Sequence, residues 1–281
     1  MAQPDPRINP YRNDIASARL KGRVEAVRFV DSSPYQVRAG RAALRRTPND
    51  KAEQVNELRF GDGFDVFEEK QGWAWGQARR DGYVGYVRVA ALIKKIAKPT
   101  HRISVLSTFL FPAPDIKTPP LDHRLSFFSD VTVSREVKDF CEVTIGNDSP
   151  GFIHRRHLTA LKKWREPDPV FTAGRFLNVP YLWGGVTPLG CDCSGLIQTV
   201  LLASGIACPR DTDMQEKSLG KKLAKGKGAR RGDLAFFKGH VGIMADEVML
   251  LHANAYHGRV VVEPLADVVG RGARVTSVRR L

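Results

Sequence analysis

The stretch LGCDCSGLIQTVLLASG, Leu189 to Gly205, holds two of the chain's four cysteines and a helical signal directly behind them. Leu196, Ile197, Val200 and Leu201 recur at the spacing of one helix face. Asp192 suits an N-cap and Gly205 a C-terminal stop, so the pattern predicts a helix that opens at Cys193. A thiol in a first helical turn meets unpaired N–H groups and the positive end of the helix dipole, which lower its pKa. Gly190 and Gly195 leave room for a substrate backbone. These are the features of an activated thiolate nucleophile. The plainer alternative is a small hydrophobe starting a buried helix.

The other cysteines, Cys141, Cys191 and Cys208, do not complete a different chemistry. A zinc site usually needs two spaced pairs of ligands, and Cys191 with Cys193 offers one pair at an odd spacing. A redox C-x-x-C is absent. HRRH, with His154 and His157, lacks the glutamate and spacing of a metalloprotease helix, and reads as a surface cap. The expectation is therefore no metal and no cofactor, with Cys191 a packing neighbour. A cysteine nucleophile needs a base. HVGIMADEVMLLHANA, His240 to Ala255, reads as a hairpin. A turn centred on Asp246 sets His240 opposite His252, with Cβ atoms ~4.5–5.5 Å apart; a turn centred between 246 and 247 separates them, and two half-exposed strand histidines are the plainer alternative. His252 can then fix the tautomer of His240.

Working outward, DPVFTAGRFLN predicts a helix over 168–178, with Asp168 as cap and Pro169 in the first turn. Four strand-like runs follow the Cys193 helix: DLAFF, HVGIMA, VMLLHANA and RVVVEPL. Helices before a β-meander argue for a segregated α+β domain over 166–281. Upstream, two β-rich stretches over 31–95 and 100–162 end alike, in WGQARRDGYVGYVRVAAL and CEVTIGNDSPGFIHRRHL, and read as a duplicated small β-barrel module. KKIAKPT is the joint between them, and residues 1–30 form an extended arm.

The 281-residue chain carries a formal net charge of +14. No nucleic-acid motif accompanies that charge, so no nucleic-acid partner is expected. The denser run Gly220 to Asp233 reads as a solvated loop. No stretch approaches the ~18 apolar residues of a membrane span. The N-terminus has no apolar signal region. The expectation is a cytoplasmic protein with reduced cysteines and no membrane partner.

Taken together, PYLWGG, GCDCSGLIQ, PRDTDMQ, GDLAFF, GHVGIM and LLHANA resemble the NlpC/P60 family of papain-like cysteine peptidases, from Pro180 to about Leu265. The preceding pair resembles two bacterial SH3-like modules. The layout is similar to γ-D-glutamyl-L-diamino-acid endopeptidases of the dipeptidyl-peptidase VI type. The resemblance implies a multidomain fold, two small all-β SH3-like barrels followed by an α+β papain-like (NlpC/P60) catalytic domain. It implies Cys193 as nucleophile, His240 as base, His252 as the orienting residue and Tyr181 at the oxyanion hole. It places Asp192, Ser194, Asp211 and Thr212 along the substrate site. Thr212 stands where the family often has serine, which puts that contact in doubt. Tyr83, on the first module, is a candidate wall aromatic at the substrate's amino end, with an ordinary core aromatic as the equal alternative.

The implied substrate is a murein stem peptide, L-Ala-γ-D-Glu-diaminopimelate or its L-lysine counterpart. The implied reaction releases L-Ala-D-Glu during cell-wall peptide recycling. The rivals are an exported hydrolase of intact wall, a papain-like amidase or acyltransferase, and a binding protein with an inert third domain.

Overall fold

The computed structural model describes residues 3–94, 96–121, 124–144, 150–224 and 226–281. The chain divides into two compact units, Met1–Trp164 and Arg165–Leu281.

In the first unit the N-terminal segment is not a loose arm. β1 (Ile15–Ser17) and β2 (Arg28–Val30) pair in parallel. Ile15, Ala16 and Leu20 are buried. The Arg12 guanidinium lies 4.5 Å over the Trp75 ring and meets Glu68 at 2.6 Å. Its partners are distant in sequence, so a local reading of a polar, proline-rich start misses them.

β3 (Ser33–Val37), β4 (Arg41–Arg45), β5 (Gln54–Arg59), β6 (Gly63–Lys70), β7 (Trp73–Ala78), β8 (Val84–Arg88) and β9 (Leu92–Ile93) form one sheet in the order β5-β4-β8-β7-β6-β3-β9. Period-2 alternation puts Ala74 in the core cluster and Trp73 and Trp75 on the other face. Arg88 and Arg12 cover those two rings.

β10 (His101–Ile103), β11 (Ser107–Phe109), β12 (Arg124–Ser126), β13 (Asp130–Val137), β14 (Phe140–Thr144), β15 (Gly151–His154) and β16 (Leu158–Ala160) follow. Their sheet runs β15-β14-β13-β10-β16. A bridge from Phe111 to Phe152 joins it to the β11-β12 pair. Read from β16, this order repeats that of the first sheet read from β9. Both carry a register shift at the matching place, between Val66 and Glu68 and between Val133 and Arg135. The duplication read from the sequence endings thus extends to strand order and bulge. The expected turn between β14 and β15 falls on residues 145–149, outside the described residues.

The second unit opens with α1 (Pro169–Gly174), capped by the Asp168 carboxylate, which accepts from the Val170 and Phe171 N–H groups. The helix stops short of the expected Asn178. Asn178 has φ +66 and its N–H turns to the Val260 carbonyl, so the chain leaves the helix to pair with the sheet. A hairpin of β17 (Val186–Thr187) and β18 (Gly190–Cys191) leads into α2 (Cys193–Ala203). All of α2 except Leu202 is buried, more than the single apolar face that the spacing suggested. α3 (Thr212–Ser218) was not expected from the sequence.

The sheet behind α2 consists of β19 (Lys221–Lys222), β20 (Leu234–Phe237), β21 (His240–Met244), β22 (Met249–Asn254) and β23 (Arg259–Pro264), then α4 (Leu265–Gly270) and β24 (Val275–Arg280). Its order is β19-β24-β20-β21-β22-β23. The four expected strands are present. The last strand returns to lie between β19 and β20. The basic run expected as solvated loop therefore begins in a strand, and it ends at Asp233, whose buried carboxylate holds Arg280 at 2.7 Å.

Candidate active site

The site is built on the start of α2. Asp192 lies just outside the helix and its Oδ1 accepts from the Gly195 N–H at 2.7 Å. Its Oδ2 accepts from the Gly184 N–H at 2.8 Å, which ties the YLWGG loop to the helix. Arg210, 2% exposed, grips the same carboxylate at 2.5 and 3.0 Å and donates to the Ser194 hydroxyl at 2.7 Å. Asp192 and Ser194 are thus knitted into the scaffold around Cys193. Glycine is required at 195, because a Cβ there would sit 2.2 Å from the Gly185 carbonyl oxygen.

Cys193 is 6% exposed, and the backbone at Val241 and Ser194 and the Thr212 side chain favour its thiolate. Burial, with the Asp192 charge beside it, nonetheless pushes the thiol up to about 11. This corrects the expectation of a lowered pKa: desolvation outweighs the helix start, and the resting group is a neutral thiol. Tyr181 reaches the site because its backbone bridges Cys191, two residues before Cys193. Burial, and then the nearby Cys193 and Asp192, raise its pKa, so the phenol keeps its proton as a donor. Cys191 is fully buried beneath that bridge, and all four cysteines are reduced.

The two histidines meet, but in a different register from the one expected. Ile243 faces Leu251 and Met244 faces Leu250, which centres the turn on residue 247. His252 therefore sits beside Gly242, where an added Cβ would lie 3.0 Å from its own Cβ. His240 is its diagonal neighbour, still on the same sheet face. Their rings are 5.0 Å apart, and His240 Nε2 lies 2.8 Å from His252 Nδ1. Asp246 shifts the turn by accepting from the Val248 and Met249 N–H groups.

Behind His252 stands Glu263, which sequence reasoning missed. His252 is completely buried, and its Nε2 lies 2.9 Å from Glu263 Oε1. Burial raises the Glu263 pKa, but hydrogen bonds from Arg271, His257 and His252 outweigh it and hold the pKa down at about 2. An ionised carboxylate only accepts, so His252 carries its proton on Nε2 and offers a bare Nδ1. His240 must then donate from Nε2, which leaves its Nδ1 lone pair unprotonated. Burial and the neighbouring His252 bring the His240 pKa down to about 4, against pulls from Glu263 and Asp192. The site thus holds a neutral thiol and a neutral imidazole whose free nitrogen is fixed by a chain ending at Glu263.

Thr212, at the start of α3, lowers the Cys193 pKa, and Asp211 occupies the N-cap position of the same helix without a side-chain capping bond. Tyr83 lies in the other unit, 4% exposed in the core cluster of the β3–β9 sheet, in the manner of its packing alternative. Arg210 was also missed, since a lone arginine in a loop looks solvated until its partner is known. Among the described residues, no group of three or more His, Cys, Asp or Glu could hold a metal ion. No helix there is long and apolar enough to cross a membrane.

Comparison with known proteins finds relatives of both parts of the chain. The NlpC/P60 family matches residues 178–278, and the bacterial dipeptidyl-peptidase Sh3 domain matches residues 44–92. The chain is 30% identical over 225 residues to a γ-D-glutamyl-L-lysine dipeptidyl-peptidase of Bacillus subtilis, covering 70% of this chain and 71% of that protein. It is 36% identical over 98 residues to dipeptidyl-peptidase 6 of Lysinibacillus sphaericus, covering 35% of this chain and 36% of that protein. The chain thus spans about a third of the latter relative's length. An NlpC/P60 family protein of Bacillus cereus has the same fold, with a TM-score of 0.75 at 20% identity over 88% of this chain and 99% of that one.

Proposed function

The chain belongs to the NlpC/P60 family, and on that premise we propose that it is a cysteine endopeptidase hydrolysing the γ-D-glutamyl–diamino acid bond of free murein stem peptides, in cytoplasmic recycling of cell-wall peptides. The observation that carries the reading is the relay from His240 through His252 to Glu263, on a sheet whose strand β21 packs against the Cys193 helix α2. The Sh3 match and the names of the relatives support the substrate class.

In this mechanism His240 Nδ1 takes the Cys193 proton as the sulfur attacks the amide carbonyl. The developing oxyanion is held by N–H groups at the α2 start and by the Tyr181 hydroxyl; one such donor is typically worth ~10²–10³ in rate. His240, now protonated, gives that proton to the departing amine. Water then hydrolyses the thioester with His240 again as base. Asp192 and Ser194 shape the acyl side, with Asp211 and Thr212 at its edge. Tyr83 stays a candidate for the substrate's amino end.

The purified protein should release L-Ala-D-Glu from free L-Ala-γ-D-Glu-diaminopimelate or L-Ala-γ-D-Glu-L-Lys and leave intact sacculi uncut. Release from sacculi but not from free peptide would overturn the reading in favour of a wall hydrolase.

A further inference from the structure

A cleft of about 1050 Å³ opens beside His240 and Tyr181, entirely within the second unit. Its walls include Lys238 from the β20–β21 turn, Tyr256 from the β22–β23 turn, and Arg271 and Arg274 beyond α4. None of Asp192, Ser194, Asp211 and Thr212 lines it. The proton for the departing amine comes from His240, so the fragment carrying that amine lies on the His240 side of the scissile bond. The cleft occupies that side.

Its charge is one-sided. No acidic residue is among the described residues lining it. Arg271 is engaged by Glu263 at 2.6 Å and stacks 4.6 Å from the Tyr256 ring centre. Lys238 and Arg274 are exposed, and among the described residues neither has an ion-pair or hydrogen-bond partner. Two cations without local acids favour an anionic ligand group and oppose a cationic one.

Resting on the peptidase reading above, we propose that this cleft is the leaving-group subsite, and that Lys238 and Arg274 select a leaving residue whose side chain ends in a carboxylate. The two candidate substrates differ at that point. The side chain of meso-diaminopimelate ends in a carboxylate beside its ammonium, whereas that of L-lysine ends in an ammonium alone. Arginine can take the carboxylate with two parallel hydrogen bonds, and lysine adds a point charge. Exposed charge contacts of this kind are individually modest, so the combined preference is on the order of tenfold.

The test uses the full chain and two synthetic tripeptides, L-Ala-γ-D-Glu-meso-diaminopimelate and L-Ala-γ-D-Glu-L-Lys, read by dipeptide release. The expected kcat/KM ratio is about tenfold in favour of diaminopimelate. Lys238→Gln with Arg274→Gln should cut that ratio at least about threefold, and the ratio within one protein cancels any loss of folded enzyme. A ratio of one or below in the wild type, or a ratio unchanged in the double variant, overturns the subsite while leaving the peptidase reading intact. Cleavage of neither peptide overturns both.

Discussion

Replacing Glu263 by glutamine tests the proton chain at its far end. Glu263 touches neither sulfur nor substrate; it sets the histidine tautomers through His252, and it also holds Arg271 and His257. In the wild type the carboxylate forces His252 Nε2–H, then His240 Nε2–H, then a bare His240 Nδ1. Glutamine can turn its amide N–H toward His252 Nε2 and reverse both tautomers. His240 would then present Nδ1–H to Cys193 and could not take its proton. The lost preference is about that of one hydrogen bond to a charged group, ~1.5–3 kcal/mol. At about 1.4 kcal/mol per tenfold, kcat/KM should fall by about ten- to a hundredfold. The Glu263 charge also raises the His240 pKa, so its removal should move the acid limb of the pH profile below its wild-type position near 4. Glu263→Asp keeps the charge and should recover part of the rate. The assay is dipeptide release against pH, with melting temperatures recorded in parallel. A glutamine variant that keeps kcat/KM within about twofold and an unmoved acid limb would refute the tautomer argument, whatever its effect on stability.

Other outcomes follow from the same geometry. Arg210→Gln leaves the Asp192 carboxylate buried without its cation and should cost about 3–5 kcal/mol in urea unfolding; a loss below about 1 kcal/mol would contradict the buried pair. His240 binds its proton only near pH 4 in the folded chain but near its ordinary 6.5 when unfolded. Stability should therefore fall as pH drops from 6.5 toward 4, and His240→Asn should flatten part of that slope in a melting series. Cys191→Ala should retain catalysis with a modest drop in melting temperature, since Cys191 packs beneath the Tyr181 bridge; loss equal to that of a Cys193 variant would mean the two thiols act together.

The parts of the site legible in the sequence are the local ones. The Asp192 cap and the helix at Cys193 follow from neighbouring residues, and the structure has both. The pairing of His240 with His252 was legible as a shared face but not as a register, because Asp246 moves the turn through hydrogen bonds that spacing does not reveal. Glu263 looks like the polar side of a half-buried strand until His252 and Arg271 are brought to it. β24 is too polar to announce itself, and its place between β19 and β20 depends on pairing with residues some forty or more positions earlier. The Cys193 pKa went the other way from the sequence expectation for the same reason. The helix start is local, whereas the burial that outweighs it exists only once the domain is folded.

The proposed γ-D-glutamyl peptidase activity stands on Cys193 as its nucleophile. Incubating the wild type, Cys193→Ala and Cys191→Ala with free L-Ala-γ-D-Glu-meso-diaminopimelate, and measuring L-Ala-D-Glu by mass spectrometry, tests it directly. Release is expected from the wild type and from Cys191→Ala, and none from a folded Cys193→Ala. Release by Cys193→Ala at the wild-type rate, or no release by any of the three, would contradict it.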